Sequence, residues 1–314
     1  MTESKSPRGV TSATLPSSGE TPLAKLRPFM PYAAVDGKQL DHEWLDLGHG
    51  VEAIFFELPN SDDLARASRV LRSLPPTTPR TIHHTMHGNY VQGTTARTAL
   101  LKVVELADSV GAEGVVIHAN HFVDVEDVPN TDFAAQRRSL VRFFADFDRD
   151  VLSRTKLWLG VENMPLIGDL GDDVDAAFVQ PSDFENLQGN KVGITLDTAH
   201  LVGAVETRSS APPEARAMLP PGDIPELDGF SRLSAKIVHL HVSAVGGLAL
   251  PPRASRAAGG AVPGTNDTRY ETIIRSVMRH GLGASLEVAE DDYQERTNLW
   301  RMLKWLTDRG LVTE

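Results

Sequence analysis

Residues 114–120 read GVVIHAN, a β-branched apolar run of strand length that ends in a histidine, His118. Alone, that placement fits a buried strand closed by a structural imidazole as well as it fits a ligand. The reading changes because the design recurs. LWLGVENMP (157–165) ends its apolar run at Glu162, VGITLDTAH (192–200) at Asp197 with His200 just beyond, KIVHLHVS (236–243) at His239 and His241, and ASLEVAEDD (284–292) at Glu287. Upstream, VEAIFFELP (51–59) carries Glu57 and RTIHHTMHG (80–88) carries His83, His84 and His87. A metal-capable side chain closing one strand after another is a repeated architecture.

Strand-like segments fall near 27–34, 51–58, 80–87, 114–120, 157–163, 192–198, 235–243 and 283–289, with helical periodicity between them. In 94–111, for example, Ala96, Ala99, Leu100, Val103, Val104 and Ala107 follow the i, i+3, i+4, i+7 rule, and Gly111 suits the stop. Residues 131–153 and 292–309 read the same way. Strands alternating with helices indicate parallel βα units, and eight of them close a barrel. The predicted fold is α/β, a single (β/α)8 barrel over 26–314, preceded by a flexible polar tail over 1–25 that lacks the apolar core of a secretory signal. Two stretches break the pattern, a Pro-rich one at 208–230 and a Gly/Pro-rich one at 246–267; only the second directly follows a strand end assigned to the site.

Composition narrows the partners. No apolar run approaches the roughly 18 residues that a membrane span needs. The chain has no cysteine, so disulfides and thiolate metal sites are excluded and His and carboxylate remain as ligands; a cytoplasmic location is expected. A formal charge of -11 disfavours nucleic acid, whose backbone is gripped by gathered Lys and Arg. The expected partner is a small-molecule substrate, and a homo-oligomer is compatible with this reading. Neither a Walker motif nor a dinucleotide fingerprint is present, so no nucleotide cofactor is expected.

In a closed parallel barrel the C-terminal strand ends meet at one face. Glu57, His84, His118, Glu162, Asp197, His241 and Glu287 follow one another at 27 to 46 residues, about one βα unit each, and the topology makes them converge. Gathering so many carboxylates is costly unless a divalent cation balances them. Mixed imidazole and carboxylate donors suit Mn, Zn, Co or Fe; Mg is kept as a candidate, although it prefers oxygen alone. His239 and His241 point the same way. His241, nearer the strand end, is taken as the ligand, and His239, one layer deeper, as a neighbour or substrate contact. His83 and His84 face opposite sides, and His84 is chosen for the site. Glu57 is assigned to substrate, while His42, His49 and His280 are read as surface or structural residues.

Taken together, VVIHAN, LGVENMP, GITLDTAHL, IVHLHVS and SLEVAEDD resemble the xylose isomerase-like TIM barrels over about residues 27–310. That group includes sugar-phosphate isomerases, ketose 3-epimerases, inosose dehydratases and the endonuclease IV family. The resemblance to its isomerase and epimerase branch implies one divalent metal held by Glu162, Asp197, His241 and Glu287. It further implies that Glu162 and Glu287 act as the acid/base pair and that His200 contacts a substrate hydroxyl. In the endonuclease IV branch, His84 and His118 match additional metal ligands. The loop where that branch carries a further Asp-x-His reads AAGGAVPGTND (257–267), with no histidine. Ala244 and Gly168 likewise stand where isomerases or epimerases often place an Asp and a second substrate-binding Glu.

The sequence therefore predicts a metal-dependent isomerase or epimerase acting on a sugar, sugar phosphate or related polyol by proton transfer next to a carbonyl. The alternatives are a metal-dependent hydrolase or phosphodiesterase related to endonuclease IV, a dehydratase or lyase, and a non-catalytic metal-binding barrel.

Overall fold

The apolar runs pair in chain order until the last meets the first. The computed structural model describes residues 25–33, 40–56, 58–85, 89–119, 122–168, 173–248, 250 and 259–312. The expected tail lies outside these up to residue 24, and Glu57 and His87 lie outside them as well. The barrel strands are β1 (Arg27–Ala33), β2 (Gly50–Phe55), β3 (Arg80–His84), β4 (Gly114–Ile117), β5 (Trp158–Glu162), β6 (Val192–Asp197), β7 (Ile237–His241) and β8 (Gly283–Ser285). Each pairs in parallel with its neighbours, and β8 pairs with β1, so the sheet closes. This is the predicted (β/α)8 barrel.

Helices α1 (His42–Asp46), α2 (Ser61–Ser73), α3 (Thr94–Ser109), α4 (Phe133–Asp150), α5 (Thr198–Ser210), α6 (Pro213–Arg216), α7 (Arg269–Val277) and α8 (Thr297–Asp308) connect the strands. Their starts are chemically marked. Asn60 and Asp63 form a capping box on α2, and Asp132 accepts from the Ala135 amide at the head of α4. Asp197 does two jobs: it ends β6, and its Oδ1 accepts from the His200 amide at 2.6 Å to cap α5. A site residue is thereby locked by the turn that follows it.

Alternation sorts the strand residues into two layers. Leu159 and Val161, or Val192, Ile194 and Leu196, join the main hydrophobic core, while Gly160, Glu162, Thr195 and Asp197 lie on the other face, inside the barrel. Small residues make room there for large ones. A Cβ at Gly114 would stand 2.1 Å from Trp158 Cδ2, so that strand must carry glycine to admit the indole.

An unpredicted element flanks the barrel. Short strands Phe122–Asp124, Leu166–Ile167 and Asp173–Asp175 form an antiparallel sheet between the loops that follow β4 and β5. Val125, Val128, Phe133, Leu166 and Val174 form a second core beneath it, which also takes Ala211, Ala215 and Leu219 from the Pro-rich stretch. That stretch therefore packs beside the barrel. The end of the Gly/Pro-rich stretch instead folds over the strand ends, where Ala244 N donates to Ala261 O at 2.7 Å and Ala289 N to Gly260 O at 2.8 Å.

Candidate metal centre

Glu162 stands at the middle of the strand-end cluster and is wholly buried. Its Oε2 lies 3.1 Å from His83 Nε2 and 3.4 Å from His118 Nε2, and its Oε1 lies 3.2 Å from His200 Nδ1 and 3.3 Å from His241 Nδ1. Glu287 Oε2 approaches the same His241 Nδ1 at 3.4 Å, while its Oε1 bonds His83 Nδ1 at 3.1 Å. Two donor groups result that share Glu162: one of Glu162, Asp197, His241 and Glu287, the other of His83, His118 and Glu162. A third set links Glu52, His83, His241 and Glu287.

Asn163 braces the cluster. Its side chain accepts from the Asp197 amide at 2.7 Å and donates to the Asp197 carbonyl at 3.1 Å, tying β5 to β6. Its own carbonyl lies 2.8 Å from His200 Nδ1. A carbonyl only accepts, so Nδ1 carries a hydrogen, and Nε2 is the ring nitrogen this bond leaves free.

Parity corrects one assignment. Thr81 bonds Glu52 inside the barrel at 2.8 Å, and period two places His83 on that same face. Ile82 enters the hydrophobic core on the other face, and His84 follows it there. His84 is fully buried, neither ring nitrogen has a hydrogen-bond partner, and no donor group includes it. Burial, reinforced by His83 and His118, lowers its pKa to about 4, so it stays neutral. His239 is placed differently from a substrate contact. It sits beneath the cluster with Nε2 3.3 Å from Glu52 Oε2, stacked on Trp158, and does not line the cavity. Glu52 was not singled out in the sequence; it is wholly buried, with Oε1 3.1 Å from His241 Nε2. Of the other histidines, His42 and His280 are exposed and His49 packs edge-on against Trp44.

Charges are strongly coupled across these contacts. Burial opposes ionisation of Glu162, yet His241, His118 and His83 hold its carboxyl well below the ordinary range; His241 and His239 do the same for Glu52. Burial likewise opposes charging of His83 and His200, but Glu162 with Glu287 lifts His83 to about 9, and Asp197 with Glu162 lifts His200 to about 10. Burial opposes charging of His241 too, yet Glu287, Glu162 and Glu52 hold it well above its ordinary value. Burial raises Asp197 to about 6, with Glu162 and Glu287 adding to it against His200 and His241. Protons on imidazoles thus balance the carboxylates when no cation does.

The donor geometry fits a cation better than mutual hydrogen bonding. Donors about 2.1 Å from one ion and 90–110° apart would be about 3.0–3.4 Å from each other. The contacts of Glu162 with His83, His118 and His241, and of Glu287 with His241 Nδ1, span 3.1–3.4 Å. Both oxygens of Glu162, both nitrogens of His241 and Nε2 of His83 are buried without an aligned hydrogen bond. Such orphaned atoms would be costly unless something else satisfied them. Above them opens a cavity of about 1060 Å³ lined by His83, His118, Glu162, Asp197, His200 and Glu287 among others.

No protein-family model and no curated protein sequence matches this chain. Solved structures do. A xylose isomerase domain protein from Planctomyces limnophilus superposes with a TM-score of 0.58 at 14% identity, over 92% of this chain and 99% of that one. The chain shares the (β/α)8-barrel fold of that protein. Two further solved structures match over nearly as much of the chain. Endonuclease IV from Thermus thermophilus gives a TM-score of 0.55 at 16% identity, covering 90% of this chain and 99% of that one. A D-psicose 3-epimerase determined in the presence of D-fructose gives 0.57 at 10% identity, covering 91% and 99%.

Proposed function

We propose that this chain is a metal-dependent isomerase or epimerase acting on a sugar, a sugar phosphate or a related polyol by proton transfer next to a carbonyl. The observation that carries this reading is the meeting of Glu162 and Glu287 at His241 Nδ1, at 3.3 and 3.4 Å, on the floor of a cavity. Glu162, Asp197, His241 and Glu287 would hold the cation. When bound, the cation supplies Lewis acidity that stabilises negative charge developing on a substrate oxygen.

The protein groups do the rest. Glu287, with its side chain 21% exposed, takes or returns the proton at the carbon next to the carbonyl, and Glu162 is its counterpart. His83 Nδ1 engages Oε1 of Glu287 and so fixes that carboxylate's orientation. His200, anchored through Nδ1, offers Nε2 to a substrate hydroxyl. Gly260, whose carbonyl accepts from the Ala289 amide, lines the same cavity.

The test is exchange of a substrate C–H proton in deuterated solvent. Glu162→Gln and Glu287→Gln should each abolish exchange, and exchange that persists in either would remove that residue from the pair. A second reading, hydrolysis of a phosphoester, is favoured by the His83–His118–Glu162 group, which suits a further cation. Two bound equivalents per chain would move the assignment there.

A further inference from the structure

The cavity has two unlike walls. The reacting groups come mainly from β3 to β6 and from Glu287, whereas the end of β2 contributes Ile54 and Phe56, and the segment after β8 contributes Val288 and Tyr293. Phe56 is 62% exposed and Tyr293 44%, large apolar surfaces left uncovered at a cavity rim.

Tyr293 is also braced. The Arg296 guanidinium lies 5.4 Å from its ring centroid, and Arg296 is itself 2% exposed, with Nη1 donating to Pro31 O at 3.0 Å. Its backbone is left-handed at φ 52°, a conformation that non-glycine residues adopt at a cost and that often marks a functional site. A buried cation therefore holds the ring from one side while the ring stays accessible.

Charge separates substrate classes. Among the described residues lining the cavity none is Lys or Arg, whereas Glu162, Asp173, Asp175, Asp197 and Glu287 are acids. A phosphoryl group is usually gripped by guanidinium, ammonium or helix N-terminal amides. An uncharged ring with an apolar face needs none of these and gains from aromatic surface. The cavity, at about 1060 Å³, reaches the upper end of the range that accepts drug-sized ligands and exceeds what one sugar ring fills.

We propose that the substrate is an uncharged glycoside, whose reacting unit, a sugar that carries a carbonyl, sits at the carboxylates while a second ring, sugar or aryl, rests on Tyr293 and Phe56. The assignment of the reacting unit rests on the isomerase or epimerase reading; the second ring is added by the aromatic wall.

Calorimetry on the full metal-loaded chain tests it, with phenyl glycosides and disaccharides of glucose, galactose and mannose, the parent hexoses, and their 6-phosphates. A phenyl glycoside or a disaccharide should bind at least tenfold tighter than its parent hexose and tighter than the 6-phosphate; which of the two wins identifies the second ring. Phe56→Ala and Tyr293→Ala should each weaken glycoside binding by about five- to tenfold and hexose binding by less. Tightest binding by a 6-phosphate, or glycoside affinity unmoved in both variants, overturns the proposal. A 6-phosphate that binds and exchanges its C–H proton leaves the isomerase reading standing without it. Failure of every sugar to bind or exchange on metal-loaded protein removes both.

Discussion

Replacing Glu162 by Gln removes one charge from the centre of the cluster and almost no volume. In the metal-free protein, burial pushes His83 down while Glu162 and Glu287 carry it from its ordinary 6.5 to about 9. At ~1.36 kcal/mol per pH unit, the carboxylates outweigh burial by a net amount on the order of 3 kcal/mol. Glu162 Oε2 stands 3.1 Å from Nε2 and dominates the attraction. In Glu162→Gln the His83 titration midpoint should fall by about two units or more, read from the ring-nitrogen resonances of ¹⁵N-histidine-labelled, metal-free protein. The sign carries into stability. A histidine raised on folding contributes stability that is fully present below 6.5 and lost as pH rises through about 9, so the wild type should weaken over that window and the variant less. A His83 that still titrates near 9 in Glu162→Gln would refute the reasoning.

Three further outcomes follow from the same geometry. Cation binding must displace the proton from His241, so zinc affinity should rise between pH 6 and pH 9, with proton release measured by calorimetry in buffers of different ionisation enthalpy; a flat profile would exclude His241 as a ligand. If a second equivalent binds, His118→Ala should remove it and leave the first, whereas unchanged stoichiometry would make His118 structural. Gly114→Ala forces a Cβ onto Trp158 and should cost about 1–3 kcal/mol, read as a lower midpoint in thermal or denaturant unfolding.

The barrel was legible because its signal is periodic and repeated: eight apolar runs spaced by helical stripes admit few arrangements. Strand-end positions were legible for the same reason, and Glu162, Asp197, His241 and Glu287 meet. Facing was harder. In RTIHH two adjacent histidines satisfy opposite parities, and the deciding signal was Ile82, whose apolar side chain belongs with the helices and turns His83 inward. Glu52 escaped notice because it lies early in β2 rather than at its end, although an acid inside an apolar strand is itself a marker of a buried polar layer. The small sheet was illegible for another reason. Its strands are two or three residues long, and pairing between separate loops leaves no local periodicity.

The most direct test is the metal content of protein purified without chelator, measured by elemental mass spectrometry as equivalents per chain. About one equivalent of a divalent transition metal is expected, lost in Asp197→Ala and His241→Ala. Metal-free protein that also takes up no Mn, Zn, Co or Fe on dialysis would contradict a metal-dependent centre.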